Sequence, residues 1–283
     1  MKKFLIIANE DKDIAYQYTG DLIKFIESKG CKAYIAEKKV DGDGNIVPEE
    51  DIDFILVLGG DGTILRAARD TMGREIPMLG INFGTLGFLA DVDQSEAKAA
   101  IEKLIAGEYF IQERITIQGN IISQGKEEKL TPALNEISIT RQGSLRIIKV
   151  KIYVNGQYLY SVDADGVIAA TPTGSTGYSM SAGGPIIKPG TKALVLTPIC
   201  PHTMNMRPII VDADDVVEFV IDSGKAGACI TAEVQSDGND RRVMLTGDRI
   251  TVTKGTHTIK LIKLEETSFL QTLNRKMMGQ IDY

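Results

Sequence analysis

Apolar positions follow two regimes along the chain. Up to about residue 105 they form continuous runs separated by helical stripes. Residues 3–8 and Phe54-Ile55-Leu56-Val57-Leu58 are apolar almost throughout, as strands are when both faces of a parallel sheet are covered. After the first run Asp11 is placed to cap a helix. Ile14, Tyr18, Leu22 and Ile26 then recur every four residues along one stripe, and Gly30 supplies the stop. Residues 32–36 read as a second strand, 64–72 as a helix, 77–81 as a strand and 94–106 as a helix ended by Gly107. Residues 37–51 are acidic and glycine-bearing and read as a mobile surface loop. This order predicts a doubly wound α/β domain with a parallel sheet.

Beyond residue 110 the period shortens. Residues 115–122, 136–140, 150–154, 158–162, 193–196, 216–221, 242–245, 249–253 and 258–262 read as short strands. Asn155-Gly156, between two alternating segments, is a two-residue hairpin signal. Closely spaced short strands predict a β-rich, sandwich-like domain. The expected division is an α/β domain over 1–107 and a β-rich domain over 108–264. Residues 267–276 return to helical character.

Composition removes several classes of function. The chain has 32 basic and 38 acidic residues, a net charge of −6. A broad nucleic-acid surface would need the opposite balance. No stretch approaches a membrane span, and the short apolar run at the start ends too early for a signal peptide. Three widely spaced cysteines, Cys31, Cys200 and Cys229, suggest neither a disulfide framework nor a zinc site, and a reducing cytoplasm fits best. Two histidines exclude a histidine-rich metal centre, and His202, in a proline-rich turn, reads as structural. Glycine is the outlier: 28 of 283 residues, above the usual share of about 7%. With no repeat or linker to absorb them, the glycines must sit in specific loops.

The first such loop is Gly59-Gly60-Asp61-Gly62-Thr63, directly after an apolar strand and before a helix. Ligands bind at the carboxyl ends of parallel strands, and glycines at a helix start let backbone amides approach a phosphate. Gly59, Gly60 and Thr63 are therefore candidate phosphate-binding residues. Asp61 among such donors suits a metal or a proton. Neither a P-loop nor a dinucleotide fingerprint is present. A second loop, 80–88, carries three glycines with Asn82, Phe83 and Phe88. A third segment, Ala170 to Pro185, is dominated by small and hydroxyl-bearing residues. Leu134-Asn135-Glu136-Ile137 opens a strand. Asp41-Gly42-Asp43-Gly44-Asn45 begins like a calcium loop, but Ile46 and Ile52 stand where glycine and glutamate are needed.

Taken in order, GGDGT, the Asn-Phe-Gly-x-Leu-Gly-Phe loop, Asn135-Glu136 and Asp165-Gly166 with TPTGSTGYSMSAGGP resemble the NAD kinase family. So do Leu196–Thr203 and Arg207-Pro208. The likeness spans about residues 55–240. GGDG alone is shared with lipid kinases and, loosely, with phosphofructokinases. The Asn-Glu pair with TPTGST is far more specific. Two departures stand out: Asn239 where glutamine is commoner, and Gly177 where alanine is frequent.

The resemblance implies an α/β domain, a β-rich domain, and a chain end, 265–283, that packs back on the first. It implies transfer of a phosphoryl group from ATP or polyphosphate to the 2′-hydroxyl of the adenosine ribose of NAD, with Mg²⁺ as the divalent cation and metal ligands left open. Asp61 is implied as the general base. Gly62 is implied against the ribose and Phe88 in the adenine pocket. Asn135 and Glu136 would hold the adenosine ribose hydroxyls. Asp165 would meet the nicotinamide end, supplied from a neighbouring subunit of a homodimer or homotetramer. Thr173, Thr176, Gly177, Tyr178 and Ser181 would line the NAD pocket. A lipid kinase would need a basic or apolar membrane-facing surface, which the charge disfavours. A catalytically silent nucleotide sensor would have no use for Asp61.

Overall fold

A computed structural model describes residues 1–8, 13–36, 47–48, 51–84, 87–90, 92–143, 147–223, 227, 229–265 and 269–278, the side chains of 13–17 and 278 excepted. The cap at Asp11, the loop over 37–46 and 49–50, the calcium-like segment and Thr85-Leu86 lie outside the described residues. The chain divides into two compact units, Met1–Glu113 with Thr258–Tyr283, and Arg114–His257.

The first unit opens with β1 (Lys3–Ala8), α1 (Asp13–Ser28), β2 (Lys32–Ile35) and β3 (Phe54–Leu58). There follow α2 (Asp61–Asp70), β4 (Met78–Asn82), the short β5 (Val92–Asp93), α3 (Ala97–Ala106) and β6 (Phe110–Arg114). β3 and β4 are buried at every position, Phe54 to Leu58 and Met78 to Asn82, which is why their sequence shows no alternation. α3 ends as expected: Gly107 takes a left-handed φ of 82° and its amide bonds back into the last turn.

The second unit contains β7 (Ile117–Ser123), β8 (Lys126–Lys129), β9 (Glu136–Arg141), β10 (Ile148–Val154), β11 (Gln157–Ala164) and β12 (Gly166–Ala170). A short helix α4 (Tyr178–Ser181) precedes β13 (Ala193–Ile199), β14 (Ile209–Asp212), β15 (Val217–Asp222), β16 (Thr231–Ser236), β17 (Asp240–Leu245) and β18 (Arg249–Lys254). Among the described residues these strands form two antiparallel sheets, ordered β11-β10-β15-β18-β7-β8 and β14-β13-β12-β9-β16-β17. One core lies between them. Val150, Ile152, Phe219 and Ile250 come from the first sheet; Ile137, Ile139, Leu194 and Val234 come from the second. The Asn155-Gly156 hairpin is formed, with both residues at positive φ, 51° and 75°, as a type I′ turn requires. β8, Lys-Glu-Glu-Lys, is wholly exposed. A charged edge strand of this kind carries no apolar signal but discourages edge pairing.

The chain then returns to the first unit with β19 (Ile259–Lys263) and α5 (Phe269–Met278). β19 joins the first sheet parallel to β4, with Leu261 opposite Met78. Among the described residues that sheet runs β2-β1-β3-β4-β19-β6, with β5 on β4. Residues 258–262 read from sequence as one more strand of the β-rich run. Only the pairing reveals which sheet takes them, because Ile259, Leu261 and Ile262 are as buried as any second-unit strand.

Candidate active site

β3 delivers the chain to the Gly59-Gly60 turn. The helix after it begins three residues before the apolar pattern starts, at Asp61 rather than Ile64. Gly60 is the N-cap. Its carbonyl accepts from the amides of Thr63 at 2.9 Å and Ile64 at 3.2 Å. Asp61 and Gly62 thus occupy the first turn, where amides lack intrahelical acceptors and the helix dipole favours negative charge. Gly59 donates its amide to Ile81 at 2.9 Å, and Thr63 is buried. Gly62 is exposed.

Asp61 is half-buried and held from outside its helix. Oδ2 accepts from the Phe88 amide at 2.8 Å and Oδ1 from the Leu89 amide at 3.0 Å. Gly87 is what lets this loop come so close: a Cβ there would stand 1.7 Å from Asp61 Oδ1. The half-buried Phe88 ring carries the Lys276 ammonium of α5 4.6 Å from its centroid. Sequence reading singled out Asp61 and Phe88 separately. Gly87 and Lys276 were missed as partners, since only the repeated glycines of the 80–88 loop hinted at a close approach.

In the second unit, Asn135 and Glu136 stand at the head of β9. The Asp237 carboxylate accepts three consecutive amides there: Leu134 at 2.7 Å, Asn135 at 2.9 Å and Glu136 at 3.0 Å. On the other side the Asn135 carbonyl accepts from the Thr171 amide at 2.8 Å. Gly174 packs against the same carbonyl, and a Cβ there would be 2.2 Å from it. Gly177 borders the pair, its Cβ position lying 3.2 Å from Glu136 Oε2 and 3.4 Å from Asn135 Nδ2. Glu136 Oε2 and Asn135 Oδ1 are buried and have no hydrogen-bond partner among the described residues. Burial first, and the nearby Asp237 charge second, push the Glu136 carboxyl up to about 8, although the Tyr178 amide opposes them. The Tyr178 phenol is also raised, by burial and then by Cys200, Asp165 and Glu136.

The hydroxyl-rich segment separates into two sets. Thr171, Ser175 and Ser179 are buried and satisfied internally, Thr171 Oγ1 to the Leu134 carbonyl at 2.6 Å and Ser179 to Thr197 at 2.9 Å. They build the segment. Thr173 is buried and accepts from Arg114 at 3.2 Å. Thr176 donates to the Thr173 carbonyl at 3.2 Å. Tyr178 and Ser181 are exposed. Asp165, between β11 and β12, accepts from Arg141 Nε at 2.8 Å. His202 is exposed and tied to the fold by its amide, which donates to Asp163 at 2.9 Å. Among the described residues no group of three or more histidine, cysteine, aspartate or glutamate side chains has the arrangement of a metal centre.

Comparison with known proteins identifies the lineage. The ATP-NAD kinase N-terminal domain matches residues 39–109 and the ATP-NAD kinase C-terminal domain matches residues 134–264. The NAD kinase of Lachnoclostridium phytofermentans is 42% identical over 282 residues, 98% of this chain and 99% of that protein. The chain belongs to the NAD kinase family. The NAD kinase of Agathobacter rectalis is 40% identical over the same shares of both chains. Among solved structures, an NAD kinase from Archaeoglobus fulgidus in complex with ATP is 25% identical with a TM-score of 0.76, covering 97% of this chain and 98% of that one. The yeast NADH kinase complexed with NADH shares the fold, with a TM-score of 0.88 at 23% identity over 100% of this chain and 89% of that chain. The NAD kinase match spans both units.

Proposed function

We propose that the chain carries out the reaction of its family, moving the γ-phosphoryl group of ATP to the 2′-hydroxyl of the adenosine ribose of NAD to give NADP, with Asp61 as the base. The observation that carries this reading is the oriented Asp61 carboxylate at the head of α2, in a chain that matches NAD kinases along its whole length. As the bond from the 2′-oxygen to phosphorus forms and the bond from phosphorus to ADP breaks, the hydroxyl proton passes to Asp61. Each carboxylate oxygen keeps a lone pair beyond the one facing Phe88 or Leu89, so the proton has a place without release of the loop. Phosphoryl transfer asks mainly for positioning and charge neutralisation.

Gly59, Gly60 and Thr63 build the turn that binds phosphate, and Gly62 lies against the ribose. Asn135 and Glu136 present free oxygens to the adenosine hydroxyls, Phe88 borders adenine, and Thr173, Thr176, Gly177, Tyr178 and Ser181 line the NAD pocket. Asp165, oriented by Arg141, takes the nicotinamide end. Asp61 is a single carboxylate in its turn, which fits a Mg²⁺ carried mainly by donor phosphates and water rather than a resident metal; the cation would neutralise phosphate charge. A homodimer or homotetramer fits Ile210 and Val243, both more than half exposed on the outermost strands β14 and β17. The free cysteines support a cytoplasmic setting, and among the described residues no helix is long and apolar enough to cross a membrane.

The test is a coupled assay with NAD, Mg²⁺ and either ATP or polyphosphate, run on the wild type and Asp61→Asn. NADP should form with ATP, and the variant should bind NAD yet lose turnover by about 10²–10⁴-fold. Wild-type kcat in the variant would remove Asp61 as base. Turnover with polyphosphate alone would extend the donor range.

A further inference from the structure

We propose that Asp237 is the positioning residue for Asn135 and Glu136: it fixes the strand edge from which the two side chains meet the nucleoside. This rests on the reading that the pair holds the adenosine.

The pairing of β9 with β16 ends at Ile137 opposite Ser236. Leu134, Asn135 and Glu136 run past it, and in a straight strand successive amides would point to opposite edges. Here the three consecutive amides converge on one carboxylate. They form a small anion-binding nest, filled by the protein's own side chain. The Asp237 amide returns a bond to the Glu136 carbonyl at 3.0 Å, so the contact is reciprocal.

The hairpin between β16 and β17 does not by itself explain the aspartate. Asp237 has a left-handed φ of 45° and Gly238 follows at 72°. Asparagine or glycine would serve that turn equally well. Only a carboxylate offers acceptors alone, with no N–H of its own to face three donors. The charge has a drawback, since it stands near the Glu136 carboxyl, whose surroundings also include the Tyr178 amide and, through Tyr178, Asp165 and Cys200. A carboxylate kept against that repulsion must do something the turn does not ask for. What it holds in place is a pair of buried, unpartnered acceptor oxygens, Glu136 Oε2 and Asn135 Oδ1. Such atoms are costly without a ligand.

The experiment uses the full chain with Asp237→Asn and Asp237→Gly, both compatible with the turn, beside Glu136→Gln. Urea midpoints establish that the variants fold. NAD KM, ATP KM and kcat are then measured from pH 6 to 9. Asp237→Asn should raise NAD KM about tenfold, with ATP KM and saturated kcat within about threefold. The pH at which NAD KM changes should move to the acid side of wild type, and that change should vanish in Glu136→Gln. A merely structural role would lower the urea midpoint and leave NAD KM unchanged, whatever the loss of the Asp237 charge does to the pH profile. Unchanged NAD KM in both Asp237 variants, with NAD KM raised in Glu136→Gln, would overturn the proposal and leave the reading of the pair intact. An unchanged NAD KM in Glu136→Gln would overturn that reading, and Asp237's role with it.

Discussion

The Asp61 turn and the Asn135–Glu136 edge use the same device in opposite senses. In the first unit a carboxylate accepts two amides from a neighbouring loop, and that carboxylate is the group proposed to react. In the second unit a carboxylate accepts three amides, but it is the holder, and the residues it holds keep free oxygens. The Asp61 carboxylate is fixed by its surroundings and stays half-buried. Asn135 and Glu136 are fixed through their backbone, and one oxygen of each side chain, Asn135 Oδ1 and Glu136 Oε2, stays without a partner among the described residues. The lesson is that a base needs its own orientation pinned, whereas a recognition edge needs its backbone pinned and its side-chain valences left open.

Breaking the first arrangement should have the largest effect. Asp61→Asn removes the proposed proton acceptor and should cost about 10²–10⁴-fold in kcat, read in steady-state assays at saturating NAD. Gly87→Ala comes next. Its methyl would stand 1.7 Å from Asp61 Oδ1, so the carboxylate or the loop must move. A kcat loss of about 10²-fold is expected, in line with an ångström-scale misplacement of a reacting group, with NAD affinity measured by calorimetry largely kept.

The second arrangement is tested by pH. The Glu136 carboxyl is raised to about 8 in the folded chain from an ordinary 4.5. A raised value means that its contribution to stability is fully present below the unfolded value and is lost as pH rises through the folded one. The ligand-free wild type should therefore lose stability between about pH 4.5 and 8, read as a falling urea midpoint, and Glu136→Gln should flatten that slope. An equal slope in the two proteins would exclude Glu136 as its source. The smallest effect is expected at Lys276→Ala, which removes the cation from the Phe88 face. A loss of about 0.5–1 kcal/mol is expected from thermal melts, with turnover little changed.

Much of the fold was legible because its signals are local. Continuous apolar runs gave the buried parallel strands, Asn155-Gly156 gave a hairpin, and Gly107 gave a helix stop. The turn carrying Asp61 was visible as glycines between a strand and a helix. β8 was not visible, since an exposed Lys-Glu-Glu-Lys strand has no apolar period. The helix start at Asp61 was misjudged by three residues because a glycine cap carries no side-chain signal.

By itself the sequence singled out candidate side chains and the segments on which they stand: Asp61 after an apolar strand, Asn135-Glu136 at a strand head, and small residues packed densely from Ala170. Tertiary structure alone decided what holds them. Asp61 meets amides 27 and 28 residues away, Asp237 meets amides more than 100 residues away, and β19 crosses back to pair with β4. Periodicity reports the burial of a residue against its near neighbours in sequence. It carries no record of which distant amide a carboxylate will find, because that pairing exists only once the chain has closed on itself.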